Sequence, residues 1–354
     1  MTAKRIYVAM SGGVDSAGAA LLLRQAGYDI SGVTLRLHPF KDRPGLCGSA
    51  EDIETARSVA AAIGIPHAVL DLGTLFQAEV MDRFVSEYVC GHTPNPCIDC
   101  NRCIKFGALL DWALLNGADA IATGHYARVS FDSRSGRWLL LRGKDRRKDQ
   151  SYVLYQLTQH QLSHLLLPVG AYEKPALRAL AAEAGLSNAN KADSQDICFV
   201  PDGDYVAFLR RSGVKPVPGD FVDLAGHVLG RHQGMECYTT GQRKGLGISA
   251  DAPLYVVRKD PASGAVVLGP NSALYTRELT AERVNLISIP ALTAPLYVTA
   301  KTRYSQQEAP ATVEPLPDGR IKVVFDEPQR AITAGQAVVL YDGEAVVGGG
   351  TICG

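Results

Sequence analysis

The sequence predicts a doubly wound α/β domain built on a parallel sheet, then a small β-rich central domain and a C-terminal β-barrel. Over about the first 200 residues, short β-type runs alternate with helical periodicity, the pattern of a parallel sheet with helices on both faces. Beyond residue 205, Pro216, Pro218, Gly219, Gly226, Gly230 and Gly234 punctuate short alternating segments with no long helix. From about residue 280, strand-and-turn spacing recurs to the end, as in a small barrel. These changes of texture place domains at 1–205, 206–279 and 280–354.

In the first domain the strands are Ile6 to Met10, Ile30 to Leu37, His67 to Leu72 and Ala118 to Thr123. Apolar spacing at Ile53, Ala56, Ala60 and Ile63 predicts a helix, opened by the capping pair Ser49 and Asp52. Arg137 to Arg142 reads as an added strand and Lys174 to Leu186 as a further helix. The barrel strands are expected around Tyr297 to Tyr304, Ala311 to Glu314, Ile321 to Phe325 and Ala337 to Tyr341.

With 354 residues, 46% hydrophobic and 20% charged, the chain has the composition of a globular protein rather than a disordered one. Lysine plus arginine and aspartate plus glutamate are 36 each, so no global field attracts nucleic acid, and an RNA site must be a local patch. The longest uncharged stretch, Val284 to Ala300, contains Asn285, Pro290 and Pro295 and falls short of the ~20 apolar residues of a membrane span. The expected location is cytoplasmic. There, clustered members of the 8 cysteines read as metal-binding or catalytic rather than as structural disulfides.

Ser11-Gly12-Gly13-Val14-Asp15-Ser16 joins the first strand to a helix beginning near Ala17. A Gly-rich turn there aims backbone N–H groups at one point and the helix dipole favours an anion, which makes a phosphate cradle. The Walker ending and the dinucleotide spacing are both missing. Asp15 beside phosphates requires backbone donors or Mg²⁺, unless Ser and Asp simply cap the helix.

Pro94-Asn95-Pro96-Cys97-Ile98-Asp99-Cys100-Asn101-Arg102-Cys103 enters a helix running to about Leu115. Thiols at a helix start beside Arg102 and Lys105 are expected to be acidified toward thiolate. An iron–sulfur run would need a fourth cysteine three residues on, and zinc a distant fourth ligand. Cys198, in Asp193 to Phe199, could exchange sulfur with Cys100 if the two meet in space. In Tyr238 to Ile248, Arg243 and Lys244 sit among glycines, either near a phosphate or in a solvated hairpin. Strand alternation would put Lys301 and Arg303 on one face and Tyr304 on the other, a basic pair with an aromatic neighbour suited to RNA. Arg142 to Lys148 carries five basic residues in seven, as a patch or a solvated loop. His125 stands at the end of a parallel strand, where such sheets bind ligands.

SGGVDS resembles the loop of N-type ATP pyrophosphatases, which adenylate an oxygen and release pyrophosphate. Together with NPCIDCN, ATGHYAR, KDQSYVL, DSQDICF, GQRKGLGI and KTRY, in that order, it resembles the bacterial tRNA-specific 2-thiouridylases over nearly the whole chain. The resemblance implies ATP-dependent 2-thiolation of the wobble uridine, position 34, of tRNAs for lysine, glutamate and glutamine. Sulfur would be delivered by a cysteine desulfurase or a sulfur-relay protein. It implies that Ala9, Met10, Ser11, Gly12, Gly13, Val14, Asp15 and Ser16 hold ATP phosphates, with Leu35 and Gly124 near the adenosine and Mg²⁺ as counter-ion. Asn95, Pro96 and Cys97 would meet the target base. Cys100 would be the nucleophile and Cys198 the persulfide carrier, the two able to form a disulfide. Lys148, Asp149, Gln150, Arg303 and Tyr304 match tRNA-contacting positions.

Many members of that family carry Asp where this chain has Cys97. Cys97, Cys100 and Cys198, with Cys103 as a substitute, could therefore ligate a [4Fe-4S] cluster that binds hydrosulfide. Two other functions compete: a synthetase of amide or ligase type on the same loop, and a tRNA-binding protein with a structural metal clip.

Overall fold

A computed structural model describes residues 4–38, 48–191 and 197–353. Five parallel strands make the first sheet: β1 (Arg5–Ala9), β2 (Asp29–Arg36), β3 (His67–Asp71), β4 (Ala120–Ala122) and, after a hairpin of β5 (Ala127–Asp132) and β6 (Arg137–Arg142), β7 (Leu165–Leu166). Their order is β3-β2-β1-β4-β7. The chain winds outward from β1 in one direction and then in the other, so the strand order reverses between β1 and β4. In open α/β sheets the crevice beyond the carboxyl ends of such a pair is where ligands bind.

Both faces of the sheet are buried, as period-2 alternation on a run such as Ile6-Tyr7-Val8 requires. Ile6, Val8 and Met10 pack with Ala17, Ala20, Val59 and Leu177 on one side. Tyr7, Val33 and Leu35 pack with Phe76, Phe84, Ile104 and Leu109 on the other. Helix α1 (Val14–Gln25) follows β1 directly, starting three residues earlier than Ala17. Helix α2 (Ala50–Ile63) starts where Ser49 Oγ accepts the Asp52 N–H at 3.2 Å and stops at Gly64 in the left-handed region. Two long helices, 73–89 and 96–115, each pass through a π-helical stretch, Gln77–Asp82 and Cys100–Ala108.

The central sheet contains β8 (Gly219–Val222), β9 (Val228–His232), β10 (Tyr255–Asp260) and β11 (Ala265–Gly269), in the order β10-β11-β8-β9 around Phe221, Val256, Val266 and Leu268. The barrel runs β12 (Tyr275–Leu286), β13 (Leu296–Lys301), β14 (Ala309–Pro315), β15 (Ile321–Arg330), β16 (Ala337–Asp342) and β17 (Ala345–Ile352). It closes where β12 pairs with β17, Ala281 opposite Ile352. The added strand Arg137–Arg142 belongs to this sheet rather than to the parallel one, joining β17 at Ala345 and Leu141. The first domain thereby contributes a hairpin to the wall of the third.

The strand expected at Tyr297 to Tyr304 ends at Lys301. Thr302 leaves the ladder because its hydroxyl and N–H both turn to Gln306 Oε1, at 2.6 and 3.2 Å. Arg303 and Tyr304 therefore lie in a turn, and the alternation argument for their faces does not hold. Among the described residues no helix is long and apolar enough to cross a membrane.

Candidate functional site

The loop after β1 is built by its small residues. Gly12 has φ +74°, and a Cβ there would stand 2.9 Å from the Asp52 carbonyl oxygen, so only glycine fits. Gly13, not a serine or aspartate, occupies the N-cap of α1, and no side chain caps the helix. The capping alternative thus fails, and the first N–H groups of α1 receive no side-chain oxygen. Ser16 clasps the turn instead: its Oγ donates to Gly13 O at 2.9 Å and accepts the Ser11 N–H at 3.1 Å. Asn188 reaches in to donate to Gly12 O at 3.0 Å. Ala9 and Met10 carry β1 into the turn, and Leu35 is buried on neighbouring β2.

Asp15 does not rely on backbone donors. Lys174 Nζ lies 2.7 Å from both of its carboxylate oxygens, and the Tyr126 hydroxyl donates to Oδ1 at 2.8 Å. Neither partner was legible in the sequence, since they lie 159 and 111 residues away. One partly exposed carboxylate at the end of a Gly-rich loop also suits Mg²⁺, which takes one or two carboxylates together with substrate phosphates.

Gly124, at the end of β4, faces this loop across the switch-point crevice. A Cβ on it would lie 2.6 Å from Asp15 C and 2.7 Å from Ser16 N. His125 is buried against Phe106, with Thr123 Oγ1 2.7 Å from its Nδ1. Burial first and the nearby Lys105 second hold its pKa well below the ordinary histidine value.

The cysteine loop is positioned from all three domains. The Thr93 N–H donates to Ala334 O at 2.9 Å, and Gln336 Nε2 donates to Thr93 O at 2.7 Å. Asn95 takes the N-cap of helix 96–115, its side chain accepting the Cys97 N–H at 3.2 Å, with Pro96 at the first helical position. Asn101 Nδ2 donates to Val153 O at 3.2 Å, which ties this helix to the segment after Gln150. Cys97 is exposed, Cys100 buried and Cys103 half-buried.

The expected acidification does not extend to Cys103: burial pushes its thiol pKa up, and the Glu79 carboxylate 3.6 Å away adds to burial against Arg102. Asp99, between Arg83 and Arg102 at 3.3 Å each, is also raised, chiefly by burial. Cys198 is half-buried against the same core that contains Cys100. Its neighbour Phe199 anchors it through ring contacts with Phe76, Phe84 and Phe208. Asp193 to Asp196 lie outside the described residues. Among the described residues no three His, Cys, Asp or Glu side chains form a metal-holding group.

Of the expected RNA-facing residues, Tyr304 is exposed by 42% and packs edge-on to Tyr152, with Lys301 Nζ 5.9 Å from both rings. The Tyr304 phenol pKa is raised by partial burial and then by Asp149 and Cys97, so the barrel turn lies beside the cysteine loop. Asp149 is buried and spent internally, accepting from Gly143 N, Ser151 N and Ser151 Oγ. Gln150 Oε1 accepts the Tyr126 N–H, and Lys148 is half-buried. Arg303 clasps two domains together, donating to Thr240 O, Ala331 O and Thr333 Oγ1 at 3.1, 3.0 and 2.7 Å. Within the basic run, Arg142 is buried on Glu308 and the Tyr341 ring, and Arg146 pairs with Glu344. Arg142 and Arg146 therefore brace the barrel. Arg243 and Lys244 are exposed on a turn held by Gln242.

Lys259, on β10, was missed by sequence reasoning. Its ammonium donates to His92 O at 3.4 Å and Tyr238 O at 3.1 Å, bridging the central domain to the approach of the cysteine loop. Burial lowers its pKa to about 8 from 10.5. Between those values the unfolded chain holds a proton the folded chain has lost, so this group makes stability rise with pH, by up to ~1.4 kcal/mol per pH unit. Thermal unfolding from pH 7 to 9.5 should show the natural chain gaining on Lys259→Met. A difference independent of pH contradicts this assignment.

Three family models match the chain in order: tRNA methyl transferase HUP domain at residues 4–202, tRNA methyl transferase PRC-barrel domain at 207–270, and Aminomethyltransferase beta-barrel domain at 276–352. The chain is 49% identical to the tRNA-specific 2-thiouridylase MnmA of Acetivibrio thermocellus, over 99% of this chain and 100% of that one. It is 52% identical to the protein of the same description from Moorella thermoacetica, over 98% of each. The corresponding protein of Heliobacterium modesticaldum is 51% identical, over 98% of this chain and 92% of that one.

Proposed function

The chain belongs to the tRNA-specific 2-thiouridylase family, and from that premise we propose that it is an ATP-dependent sulfurtransferase acting on C2 of the wobble uridine, position 34, in tRNAs for lysine, glutamate and glutamine. The observation that carries this reading is the switch-point crevice, where the uncapped loop 11–16 meets Gly124 while the cysteine loop is held by all three domains.

The uridine O2 attacks the α-phosphorus of ATP, and pyrophosphate leaves. Ser11 to Ser16 offer N–H groups to the phosphates, and Asp15 would hold Mg²⁺, which neutralises phosphate charge when bound. The terminal sulfur of a Cys198 persulfide then attacks C2, and AMP departs with the former carbonyl oxygen. A thiolate at Cys100 attacks the Cys198 sulfur, releasing the C2 thiocarbonyl and leaving a Cys100–Cys198 disulfide. The transferred sulfur gains the two electrons the cysteines lose, and an external dithiol restores both thiols. Asn95, Pro96 and Cys97 border the target base, and Tyr304 with Lys301 offers a ring and a cation to the RNA. The persulfide originates from a cysteine desulfurase or a relay protein. Cys97, Cys100 and Cys198, with Cys103 as a substitute, would be the residues to hold a [4Fe-4S] cluster, which would supply bound hydrosulfide in place of the persulfide.

Pyrophosphate release is expected to require tRNA with U34 and to vanish with a U34→C transcript, measured beside iron and acid-labile sulfide on protein purified without oxygen. Metal-free protein that thiolates from a persulfide donor is the expected result. Release driven by an amino donor without tRNA would favour the synthetase reading, and stoichiometric iron and sulfide lost in Cys97→Ser would replace the persulfide with cluster-bound hydrosulfide. Binding of tRNA with no ATP turnover would leave only the metal-clip reading.

A further inference from the structure

Residues 9–16 contain no lysine or arginine, although a triphosphate held there brings several negative charges to a loop that already carries Asp15. Backbone N–H groups orient phosphate oxygens but supply no full positive charge. Among the described residues, Lys174 is the cation that pairs with this loop's Asp15, from far along the chain. Lys174 opens the helix Lys174–Glu183, and its Nζ reaches Asp15 at 2.7 Å with a side chain only 8% exposed. That helix is locked to α1, since Leu177 packs where a Cβ on Gly18 would come within 2.6 Å of it. Its first turn is pinned as well, because the Lys174 N–H donates to Asp145 Oδ2 at 3.1 Å.

We propose that Lys174 is the phosphate-positioning cation of this loop, supplied by the Lys174–Glu183 helix of the same chain and resting on Asp15 when no nucleotide is present. This rests on the reading of the loop as an ATP site. A lysine ammonium is a compact charge with three donors on a flexible four-carbon stem, so it can turn from a carboxylate to a phosphate without moving its helix. The geometry also explains how Asp15 becomes available. Asp15 would hold Mg²⁺ when the metal is bound, and the Lys174 ammonium, released from the carboxylate, would then turn to the phosphate charge. The Tyr126 hydroxyl, 2.8 Å from Oδ1, keeps Asp15 oriented through the exchange. If Lys174 only neutralised Asp15, the loss in Lys174→Met would come from the bare carboxylate, and triphosphate affinity measured without Mg²⁺ would return in a Lys174→Met, Asp15→Asn double variant, a result that overturns the proposal. A phosphate-positioning role predicts an effect that grows with the phosphate content of the ligand.

The test is calorimetric or fluorescence binding of adenosine and of α,β-methylene ATP with Mg²⁺ to the full chain, for the natural protein, Lys174→Met and Lys174→Arg. Lys174→Met is expected to lose on the order of 10²-fold in affinity for the triphosphate analogue while holding adenosine within about twofold, and Lys174→Arg to recover most of the loss. Retained adenosine binding also shows that the variant is folded. Equal losses for both ligands, or no loss for the analogue, overturn the proposal. A natural chain that binds neither ligand overturns the nucleotide reading itself, before any variant is compared.

Discussion

Cys198→Ser is expected to leave tRNA-dependent pyrophosphate release within about twofold of the natural chain and to lower thiolation by on the order of 10³-fold or more. On the proposed reading the two readouts separate because adenylation would use the loop 11–16 and the crevice at Gly124, whereas sulfur transfer would need a polarisable nucleophile that a hydroxyl does not replace. The substitution is nearly isosteric at a half-buried position whose neighbour Phe199 is held by three aromatic rings, so the fold should tolerate it. Cys100→Ser should also keep pyrophosphate release. It differs in trapping tRNA on Cys198 through a mixed disulfide, visible as a band shift that a reductant removes. Thiolation at the natural rate by Cys198→Ser would remove this cysteine from the sulfur path.

Gly124→Ala is expected to weaken binding of a triphosphate analogue by roughly 10- to 100-fold, the equivalent of the ~1–3 kcal/mol that overpacking costs in a rigid site. The added methyl would stand 2.6 Å from Asp15 C and 2.7 Å from Ser16 N. Both are backbone atoms at the start of α1, so no side chain can swing aside, and either the end of β4 or the phosphate loop must shift. The readout is the binding constant beside the melting temperature of the ligand-free protein. Unchanged affinity in a folded variant would mean that the crevice between β1 and β4 does not receive the nucleotide.

The parallel sheet was legible because its strands are short β-branched and apolar runs, and because loop 11–16 carries a glycine at Gly12, where a Cβ would meet the Asp52 backbone. The two-residue strand Leu165–Leu166 was not legible, being too short for any period to register. The end of β13 at Lys301 was hidden as well, since a hydrogen bond from Thr302 to Gln306 rather than the hydrophobic pattern terminates the strand. At the candidate site, local motifs marked the Gly-rich loop 11–16 and the cysteine helix, while the partners that set their electrostatics lie far off in sequence. Lys174 and Tyr126 on Asp15, and Lys259 beneath His92, emerge only when the chain is folded. Within the charge-rich run 142–148, Arg142 and Arg146 face barrel carboxylates, a use that spacing along the chain does not reveal.

The central claim is that sulfur passes from Cys198 to a uridine activated by ATP. Its most direct test loads the chain with a ³⁵S persulfide, removes the donor, and mixes the protein with ATP and tRNA for lysine in a single turnover. The account predicts that label moves onto the tRNA in step with AMP formation and that a Cys100–Cys198 disulfide remains on the protein. AMP formation with the label still on the protein would contradict it.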